Sequence, residues 1–353
     1  KLLRILSELD FVFRIEDLRE IPQILNELGG DVEVPEGNPE NYFKINPKYA
    51  NKFQAYVPIS TGCDKFCTYC VVPYSLGRER SRYPDEIFDE CKKLVENGCV
   101  EITLLGQTVD SYGLSPIDRK TGIFDKKDNF AELLRKIDAL KKKGLKRLRF
   151  SSSHPKDFTE TLIKTIAELE TLMPYIHLPV KSGDDEVLKR MNRPYTRGQY
   201  LEIIKKIRRH IPDCAISTDI IVGFCGETEK EFKNTYDLFK EIGFDFAYIA
   251  RYSPRKGTVS EKTMEDDVKR EKKAERLHKM NDLLIKTVSG KLKEFVGKTV
   301  HVLVEHHTGG VLRGTSEHFK EVQFKGGKKL VGKIVPVVVT DFKKWILIGR
   351  SRL

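Results

Sequence analysis

The sequence lacks the features that mark secreted and membrane-spanning proteins. Among its 353 residues there is no run of eighteen or more apolar residues, so no membrane-spanning helix is predicted. The opening residues, Lys1-Leu2-Leu3-Arg4, lack the apolar core and small-residue cleavage site of a secretory signal. The seven cysteines show no paired framework, so we expect thiols or metal ligands and no disulfides, as is usual in a reducing compartment. These absences predict a cytoplasmic protein with no membrane partner.

Positive charge is concentrated near the C-terminal end of the chain. The formal net charge is +11 and the isoelectric point is near 9.1. Residues 290–353 contain thirteen Lys and Arg against five Asp and Glu, an excess of eight positive charges in this segment alone. Because such an excess favours association with polyanions, it indicates a nucleic-acid contact.

The length and the local patterns predict several domains. Residues 1–50 contain helical patterns at 3–9 and 15–28, and a stretch rich in Gly, Pro and Asn follows at 29–47. Because the sequence opens within a helical pattern, we interpret 1–50 as the remnant of an N-terminal domain with its linker. We assign 51–260 to the core, 261–290 to a charged connector helix and 291–353 to a small β-domain.

The core alternates short apolar runs with amphipathic helical patterns six times, which is typical of parallel strands joined by crossover helices. The predicted strands are 55–60, 101–105, 147–151, 175–180, 215–222 and 246–252. Two of the helices begin with the capping-box spacing, at Thr196 with Gln199 and at Thr228 with Glu231. Six βα units are fewer than the eight of a closed barrel. The pattern therefore fits an open partial (βα)6 barrel or a doubly wound sheet, both of the α/β class.

The last sixty residues have the pattern of a small all-β barrel, with strands predicted at 299–305, 320–324, 333–340 and 345–350 between Gly-Gly turns. Small barrels bind RNA through basic grooves and stacking aromatic rings. The candidate basic residues are Lys298, Arg313, Lys320, Lys325, Lys328, Lys329, Lys343 and Lys344, and the aromatic ones are Phe319, Phe324, Phe342 and Trp345. For Phe324 and Trp345 we favour a place in the core of the barrel itself.

Cys63, Cys67 and Cys70 form a CxxxCxxC triplet directly after the first predicted strand. Thiolates with this spacing can converge on one side of a loop, where they match three irons of a cubane cluster and leave the fourth iron open. A zinc knuckle or three ordinary core cysteines are the alternatives, but structural zinc normally has four ligands and the nearest histidine is His154. Because active-site residues of βα barrels gather at the C-terminal ends of strands, we interpret the triplet as a 4Fe-4S site.

Six stretches of the chain resemble the MiaB-type methylthiotransferases of the radical S-adenosylmethionine (SAM) superfamily. They read GCDKFCTYCVVPYSLGRERSR, LLGQTVDSYG, SSSHP, HLPVKSGDDEVLKRMNRPYTRGQYL, STDIIVGFCGETEKEF and RYSPRKGT, and they extend from about residue 53 to the connector helix. The β-rich tail resembles the TRAM domain of that family, an RNA-binding barrel. The resemblance implies a radical-SAM barrel in which the three cysteines hold a 4Fe-4S cluster and the open iron chelates SAM. Reduction of the cluster then cleaves SAM to methionine and a 5′-deoxyadenosyl radical.

The chain departs from the family pattern at three points. Lys181 stands where the family usually has Gln, and Cys225 stands where it usually has Pro. The family also has an N-terminal domain with three further cysteines that bind a second 4Fe-4S cluster used in sulfur insertion. No cysteine precedes Cys63 here, so the ligands of that second cluster are absent from this chain.

Polar residues at the ends of the predicted strands are candidates for SAM contacts, by the geometry of barrels. They are Gly106 and Gln107 after the second strand, Ser153 after the third, Ser182 after the fourth, Asp219 in the fifth, and Tyr69 between two cysteine ligands. Packing or turn chemistry is the alternative for each. Arg193 and Arg251 could meet the SAM carboxylate or an RNA phosphate, or be solvated. We expect Cys91, Cys99 and Cys214 in the core, and Cys225 either at the barrel mouth or as a plain replacement of Pro.

Three functions compete. The preferred one is a transferase that adds a methylthio group to C2 of N6-isopentenyladenosine beside the anticodon, with the anticodon stem-loop of tRNA as its partner and flavodoxin or ferredoxin as electron donor. The closest rival is a RimO-type methylthiotransferase that modifies a ribosomal protein. A non-catalytic RNA-binding protein with a structural metal site is the third. The basic tail is compatible with all three, so charge alone does not separate them.

Overall fold

The computed structural model describes residues 21–31, 49, 51–126 and 128–352, and it divides the chain into two compact units, Lys1–Ala50 and Asn51–Leu353. In the first unit a helix, α1, spans Ile21–Glu27, within the pattern predicted at 15–28. The helix predicted at 3–9 and most of the predicted linker lie outside the described residues. The second unit contains the core strands, the connector helix and the C-terminal strands.

All six predicted core strands are confirmed. Together with the short pair β2 (Ser60–Thr61) and β3 (Arg80–Ser81), they are β1 (Gln54–Pro58), β4 (Glu101–Leu105), β5 (Arg147–Phe150), β6 (Tyr175–His177), β7 (Ala215–Val222) and β8 (Phe246–Arg251). They form two parallel three-stranded sheets, in the orders β1-β4-β5 and β6-β7-β8. A single bridge between Leu148 and Leu172 adjoins the edge of the first sheet.

Amphipathic helices follow the strands. They are α2 (Val72–Ser75), α3 (Pro84–Glu96), α4 (Pro116–Arg119), α5 (Asn129–Asp138), α6 (Glu160–Glu168), α7 (Asp185–Arg190), α8 (Arg197–His210), α9 (Glu229–Ile242) and α10 (Val259–Thr263). Both predicted capping boxes are present, at the starts of α8 and α9, where hydroxyl and side-chain oxygens satisfy free backbone N–H groups. Among the described residues, no helix has the length and apolarity needed to cross a membrane.

The charged connector is a helix, α11, that spans Arg270–Lys293 and packs on the core through buried charges. Its Arg276 lies 2.8 Å from a carboxylate oxygen of Glu227, and both side chains are almost fully buried. Lys273 pairs with Asp266 just before the helix begins. Breaking a buried pair of this kind costs about 3 to 5 kcal/mol, so the connector is a fixed part of the second unit.

The C-terminal strands close into a five-stranded barrel, as the sequence predicts. They are β9 (Thr299–Thr308), β10 (Val311–Ser316), β11 (Glu321–Lys325), β12 (Ile334–Lys343) and β13 (Ile346–Ser351), in the order β10-β11-β13-β12-β9. Strand β10 was not predicted, because its sequence Val-Leu-Arg-Gly-Thr-Ser has a short apolar run. Phe324 lies in the barrel core, as expected.

A buried group of three charges joins the core to this small barrel. Arg147 and Arg149 of β5 flank the carboxylate of Glu101, whose Oε2 lies 3.0 Å from Arg149 Nε. The guanidinium groups also donate to backbone carbonyl oxygens of the barrel, from Arg147 to Thr315 at 2.8 Å and from Arg149 to Ser316 at 2.8 Å. Because a guanidinium carries five N–H donors, one arginine can satisfy acceptors on both sides of the junction.

Two candidate RNA-binding residues, Lys320 and Phe319, and one residue of the predicted barrel core, Trp345, have other positions. Lys320 is buried and its Nζ lies 2.9 Å from Asp245 Oδ1 of the core, so the prediction that it contacts RNA is wrong. Phe319 stacks on Tyr175 with ring centroids 4.5 Å apart. Trp345 is 41% exposed, and its ring contacts Phe246, the first residue of β8, edge-on. The prediction that Trp345 lies in the barrel core is therefore wrong. All three side chains contact residues of the core, because they lie at ends of barrel strands that face the core.

Candidate metal centre

The three cysteines of the triplet lie on one loop that follows β1 and β2. Cys63 and Cys67 are buried and Cys70 is half-buried. The loop begins at Gly62, whose φ is +72°. A Cβ at this position would lie 2.2 Å from the carbonyl oxygen of Arg78, so glycine is required both by its backbone conformation and by the close approach.

The segment after α7 holds one side of the cysteine loop. Thr68 donates its hydroxyl to the carbonyl oxygen of Arg190 at 2.9 Å and its N–H to that of Met191 at 3.1 Å. The side-chain amide of Asn192 donates to the carbonyl oxygen of Phe66 at 2.9 Å. These bonds explain why the loop keeps its shape, with φ of +49° at Phe66. The sequence analysis did not single out Asn192, although it lies in the motif MNRPYT that carries the resemblance.

Two ion pairs hold the other side of the loop. Arg78 donates to both carboxylate oxygens of Asp64, at 2.6 and 3.1 Å. Lys65 pairs with Asp157, which follows β5, and both side chains are largely buried. Burial acts to lower the pKa of Lys65, but the attraction of Asp157 outweighs it and the pKa rises. Lys65 is therefore a fixed positive charge between two of the cysteines.

A buried carboxyl group, Glu79, lies close to the cysteine loop. Its oxygens accept from the hydroxyls of Ser111 at 2.7 Å and Thr108 at 3.2 Å. Burial raises its pKa to about 7, because two neutral hydroxyls compensate only part of the lost hydration. Glu79 therefore titrates near neutral pH.

Unpartnered polar atoms are buried near the strand ends. Asp110 accepts from the backbone N–H of His154 at 2.8 and 2.9 Å, and burial lowers the pKa of His154 so that its imidazole is neutral. The Nε2 atom of His154 and the hydroxyls of Ser153 and Ser60 have no hydrogen-bond partner among the described residues. Buried polar groups normally have one. These are positions where a bound group would supply the missing partner.

Asp219 of β7 is the centre of a polar group on the second sheet. His177 Nε2 lies 3.3 Å from one of its oxygens and Lys181 Nζ 2.6 Å from the other. Burial acts to raise the pKa of Asp219, but His177 and Lys181 outweigh it and lower the pKa to about 2. His177 also bonds Ser217 Oγ at 2.8 Å through Nδ1. Lys181 thus neutralises a carboxylate, and its φ is +67°.

The other predicted SAM contacts have different surroundings. Tyr69 is half-buried beside Cys67, with its ring edge-on to Phe224 at 6.4 Å. Ser182 is fully buried and its hydroxyl lies 3.1 Å from that of Thr235 in α9, so a structural bond already occupies it.

The remaining candidates lie at strand ends. Gly106 approaches Ser60 so closely that a Cβ would lie 2.5 Å from the serine hydroxyl. Gln107 and Arg251 are exposed at the ends of β4 and β8. The roles of these three residues in binding SAM stay predictions.

The four remaining cysteines are buried. Cys91, Cys99 and Cys214 are buried in the core, as predicted. Cys225 packs in an apolar cluster with Phe224 and Tyr252, which supports the reading as a plain replacement of Pro.

The donor set of the loop suits a cluster. Among the described residues, no three His, Cys, Asp or Glu side chains are gathered as a site for one metal ion. A cubane differs from a single ion, because each cysteine binds a different iron atom. Burial raises the pKa of Cys63 to about 11, so its thiol stays protonated until a metal displaces the proton.

Comparison with known proteins gives one family and several close relatives. Residues 57–239 match the model of the radical SAM superfamily. The tRNA-2-methylthio-N(6)-dimethylallyladenosine synthase of Geobacillus kaustophilus is 43% identical over 359 residues, which cover 99% of this chain and 65% of that protein. The enzyme of the same name from Bacillus subtilis is 43% identical over 347 residues, covering 96% of this chain and 66% of the relative. The chain thus spans about 65% of the length of these relatives.

Among solved structures, coproporphyrinogen III oxidase from Escherichia coli, described as a radical SAM enzyme, aligns with a TM-score of 0.49 at 12% identity, over 75% of this chain and 66% of that one. The family assignment depends on the sequence match, which covers more than half of the residues, including all three cysteines of the loop. On this ground the chain belongs to the radical SAM superfamily.

Proposed function

We propose that Cys63, Cys67 and Cys70 hold a 4Fe-4S cluster and that SAM binds at its fourth iron. The observation that carries this proposal is the position of three thiols on one rigid loop at the C-terminal end of β1, within the segment that matches the superfamily. When bound, such a cluster would supply the electron for the cleavage of SAM. The protein contributes a buried, pre-shaped loop with water largely excluded around two of the cysteines.

We propose that the six core strands form the open partial barrel predicted from the sequence. Within each sheet the strands follow one another in chain order, β1-β4-β5 and β6-β7-β8, as in a barrel. A doubly wound sheet reverses its strand order at a switch point. Tyr56 of β1 and Tyr248 of β8, in strands at the outer edges of the two sheets, are 61% and 59% exposed, which suits an open side between these strands.

We propose that the chain generates the 5′-deoxyadenosyl radical for methylthiolation at C2 of N6-dimethylallyladenosine, the isopentenyl-type nucleoside, in tRNA. The names of relatives that are 43% identical over nearly all of this chain support this substrate. Unpartnered Ser153 and His154 would receive polar groups of SAM, and the Asp219 group would orient a nucleoside in the barrel. The names favour tRNA over the ribosomal protein of the RimO-type rival.

We propose that the C-terminal barrel is a TRAM-like domain that binds the anticodon stem-loop. A cavity of about 690 Å³ opens on its surface and is lined by residues that include His306, Arg313, Gln323 and Lys328. Of the basic residues predicted to contact RNA, those that are exposed are Lys298, Arg313, Lys325, Lys328, Lys329, Lys343 and Lys344. Such groups neutralise phosphates. A grip on the backbone would offset the cost of extracting the target adenine from its stack.

The remaining parts of the proposal follow from the family. The boundaries 51–260, 261–290 and 291–353 remain our assignment of core, connector and RNA-binding domain. We propose that the protein acts in the cytoplasm, with flavodoxin or ferredoxin as the electron donor. The second 4Fe-4S cluster of the family has no cysteine ligands in residues 1–62. These 353 residues by themselves would therefore bind one cluster and cleave SAM without inserting sulfur.

Anaerobic reconstitution of the chain with iron and sulfide tests the proposal. We expect a broad brown absorption band, about four irons per chain, and 5′-deoxyadenosine when SAM and dithionite are added. A colourless zinc protein would favour the non-catalytic RNA-binding alternative instead. Mass spectrometry of anticodon-loop nucleosides from cells that lack the gene identifies the substrate, because only the tRNA reading predicts loss of the methylthio group there.

A further inference from the structure

The buried side chain of Arg193 contacts one cysteine of the loop. Arg193 is 6% exposed, and its Nη1 lies 3.7 Å from Cys67 Sγ. Its Nε donates to the hydroxyl of Tyr195 at 2.7 Å and its Nη2 to the carbonyl oxygen of Pro179 at 2.7 Å. Tyr195 in turn donates to the carbonyl oxygen of Val180 at 2.9 Å. The guanidinium is thus fixed in position, with all three nitrogens engaged by the protein.

The charge of Arg193 is not matched by a carboxylate. In residues 51–126 and 128–352, no Asp or Glu oxygen lies within 4.0 Å of its guanidinium. Other buried arginines of this chain have such a partner, as Arg147 and Arg149 have Glu101 and Arg276 has Glu227. An unpaired buried charge is strongly unfavourable. A negative charge on the sulfur side would therefore complete this site.

We propose that Arg193 is a positioning residue that donates an N–H···S hydrogen bond to the cluster through Cys67 and thereby raises its reduction potential. This inference rests on the proposed function, because it requires the cluster on the three cysteines. Reduction transfers one electron from a donor such as dithionite to the cluster, with no bond made or broken in the protein. The added negative charge is stabilised by the fixed cation, and hydrogen bonds to cluster sulfurs and nearby charge are levers that set such potentials.

The rival role for Arg193 is a contact with the SAM carboxylate, as considered from the sequence. Three of the five guanidinium N–H groups already have acceptors, and one of these acceptors is Cys67 Sγ. This direct contact with a cysteine of the loop favours the sulfur role, although one N–H on each Nη is left for a carboxylate. The two roles differ in a measurable way. A cluster contact changes the potential in the absence of SAM, whereas a SAM contact changes only the affinity for SAM.

The test is a redox titration, followed by electron paramagnetic resonance, of the reconstituted chain without SAM. Arg193→Gln removes the charge, and Arg197→Gln is the matched control, because Arg197 lies four residues away and pairs with Glu241. At a fixed solution potential we expect the ratio of reduced to oxidised cluster to fall about tenfold in Arg193→Gln, a shift of about 59 mV to lower potential. Arg197→Gln should titrate like the wild type.

Iron and sulfide contents are measured first, so that the two proposals fail separately. A wild-type chain that takes up no cluster overturns the proposed function and this inference with it. Normal iron content with an unchanged potential in Arg193→Gln overturns this inference alone, and weakened SAM binding in that variant would assign Arg193 to SAM. If Arg193→Gln does not retain iron, Arg193→Lys replaces it in the titration, because it keeps the positive charge. We expect Arg193→Lys to lower the reduction potential by less than about 59 mV. An unchanged potential in Arg193→Lys would also overturn the inference.

Discussion

Lys320 of the small barrel and Asp245 of the core form a buried ion pair, with Nζ and Oδ1 2.9 Å apart. The other carboxylate oxygen of Asp245 accepts from the backbone N–H of Ile216 in β7, and Lys320 also donates to the carbonyl oxygen of Asp245. The pair therefore ties β11 and its preceding turn to the start of two core strands. A lysine that looked like an RNA ligand in the sequence is a structural residue of the junction.

Lys320→Met should destabilise the protein by about 3 kcal/mol, because it leaves the carboxylate of Asp245 buried and unpaired. Lys325→Met on the same small barrel is the control, since Lys325 is exposed and should change stability by less than about 0.5 kcal/mol. Denaturant unfolding measures both. Equal stability of the two variants would show that the pair contributes nothing to the junction.

Cys67→Ala should abolish formation of 5′-deoxyadenosine from SAM, because it removes one of three proposed cluster ligands from a loop outside the core. Cys91→Ala should keep the activity, since Cys91 is buried in α3 away from the loop. Mass spectrometry of the reaction under reducing conditions measures the product. Continued cleavage by Cys67→Ala would contradict the cluster assignment.

Glu79 should make stability depend on pH near neutrality. Its folded pKa of about 7 lies above its usual value, so the folded state binds the proton more tightly than the unfolded state. This contribution is full below about pH 4.5 and is lost as pH rises through 7. Glu79→Gln removes the titration, so its stability relative to the wild type should rise by about 3 kcal/mol between pH 4.5 and pH 8.

Thermal unfolding at a series of pH values measures the effect of Glu79→Gln. The control is Glu132→Gln, an exposed position on α5, which should follow the wild-type profile. A constant difference between Glu79→Gln and the wild type over this range would mean that Glu79 does not titrate there.

Arg313→Gln and Lys328→Gln should each weaken tRNA binding. Each should also reduce the slope of the logarithm of the binding constant against the logarithm of the salt concentration by about one, because each lost phosphate contact removes one released counterion. Both residues line the cavity on the small barrel. Lys205→Gln, at an exposed position on α8, should leave the slope unchanged. The measurement is tRNA binding at salt concentrations from low to physiological. Unchanged slopes in both cavity variants would contradict the proposal that the small barrel binds RNA.

The sequence predicted the parts of the fold that depend on local pattern. The six core strands and both capping boxes follow from apolar runs and from hydroxyl residues at helix starts. Strand β10 escaped prediction because Arg313 and Gly314 interrupt its apolar pattern, and a partner strand on each side stabilises it instead. Such pairing depends on residues distant in the sequence.

The sequence predicted the cysteines of the site but not the contacts that hold them in place. Three cysteines with a fixed spacing identify the loop, but nothing in the local sequence states that Asn192 bonds Phe66 or that Arg193 contacts Cys67. These contacts join positions 126 residues apart. The prediction for Trp345 was wrong for the same reason, because its ring contacts Phe246 of β8, outside its own barrel.

The acceptors of Arg147 and Arg149 have a consequence for biosynthesis. The carbonyl oxygens that satisfy these two side chains belong to residues 154 to 168 positions later in the chain. Ribosomes add about 5–20 residues per second, so roughly ten seconds or more of synthesis separates β5 from its partners. Until then the guanidinium N–H groups of both arginines have only Glu101 and water as partners. The face of β5 at this junction therefore stays open to solvent until residues 301–317 have been synthesised.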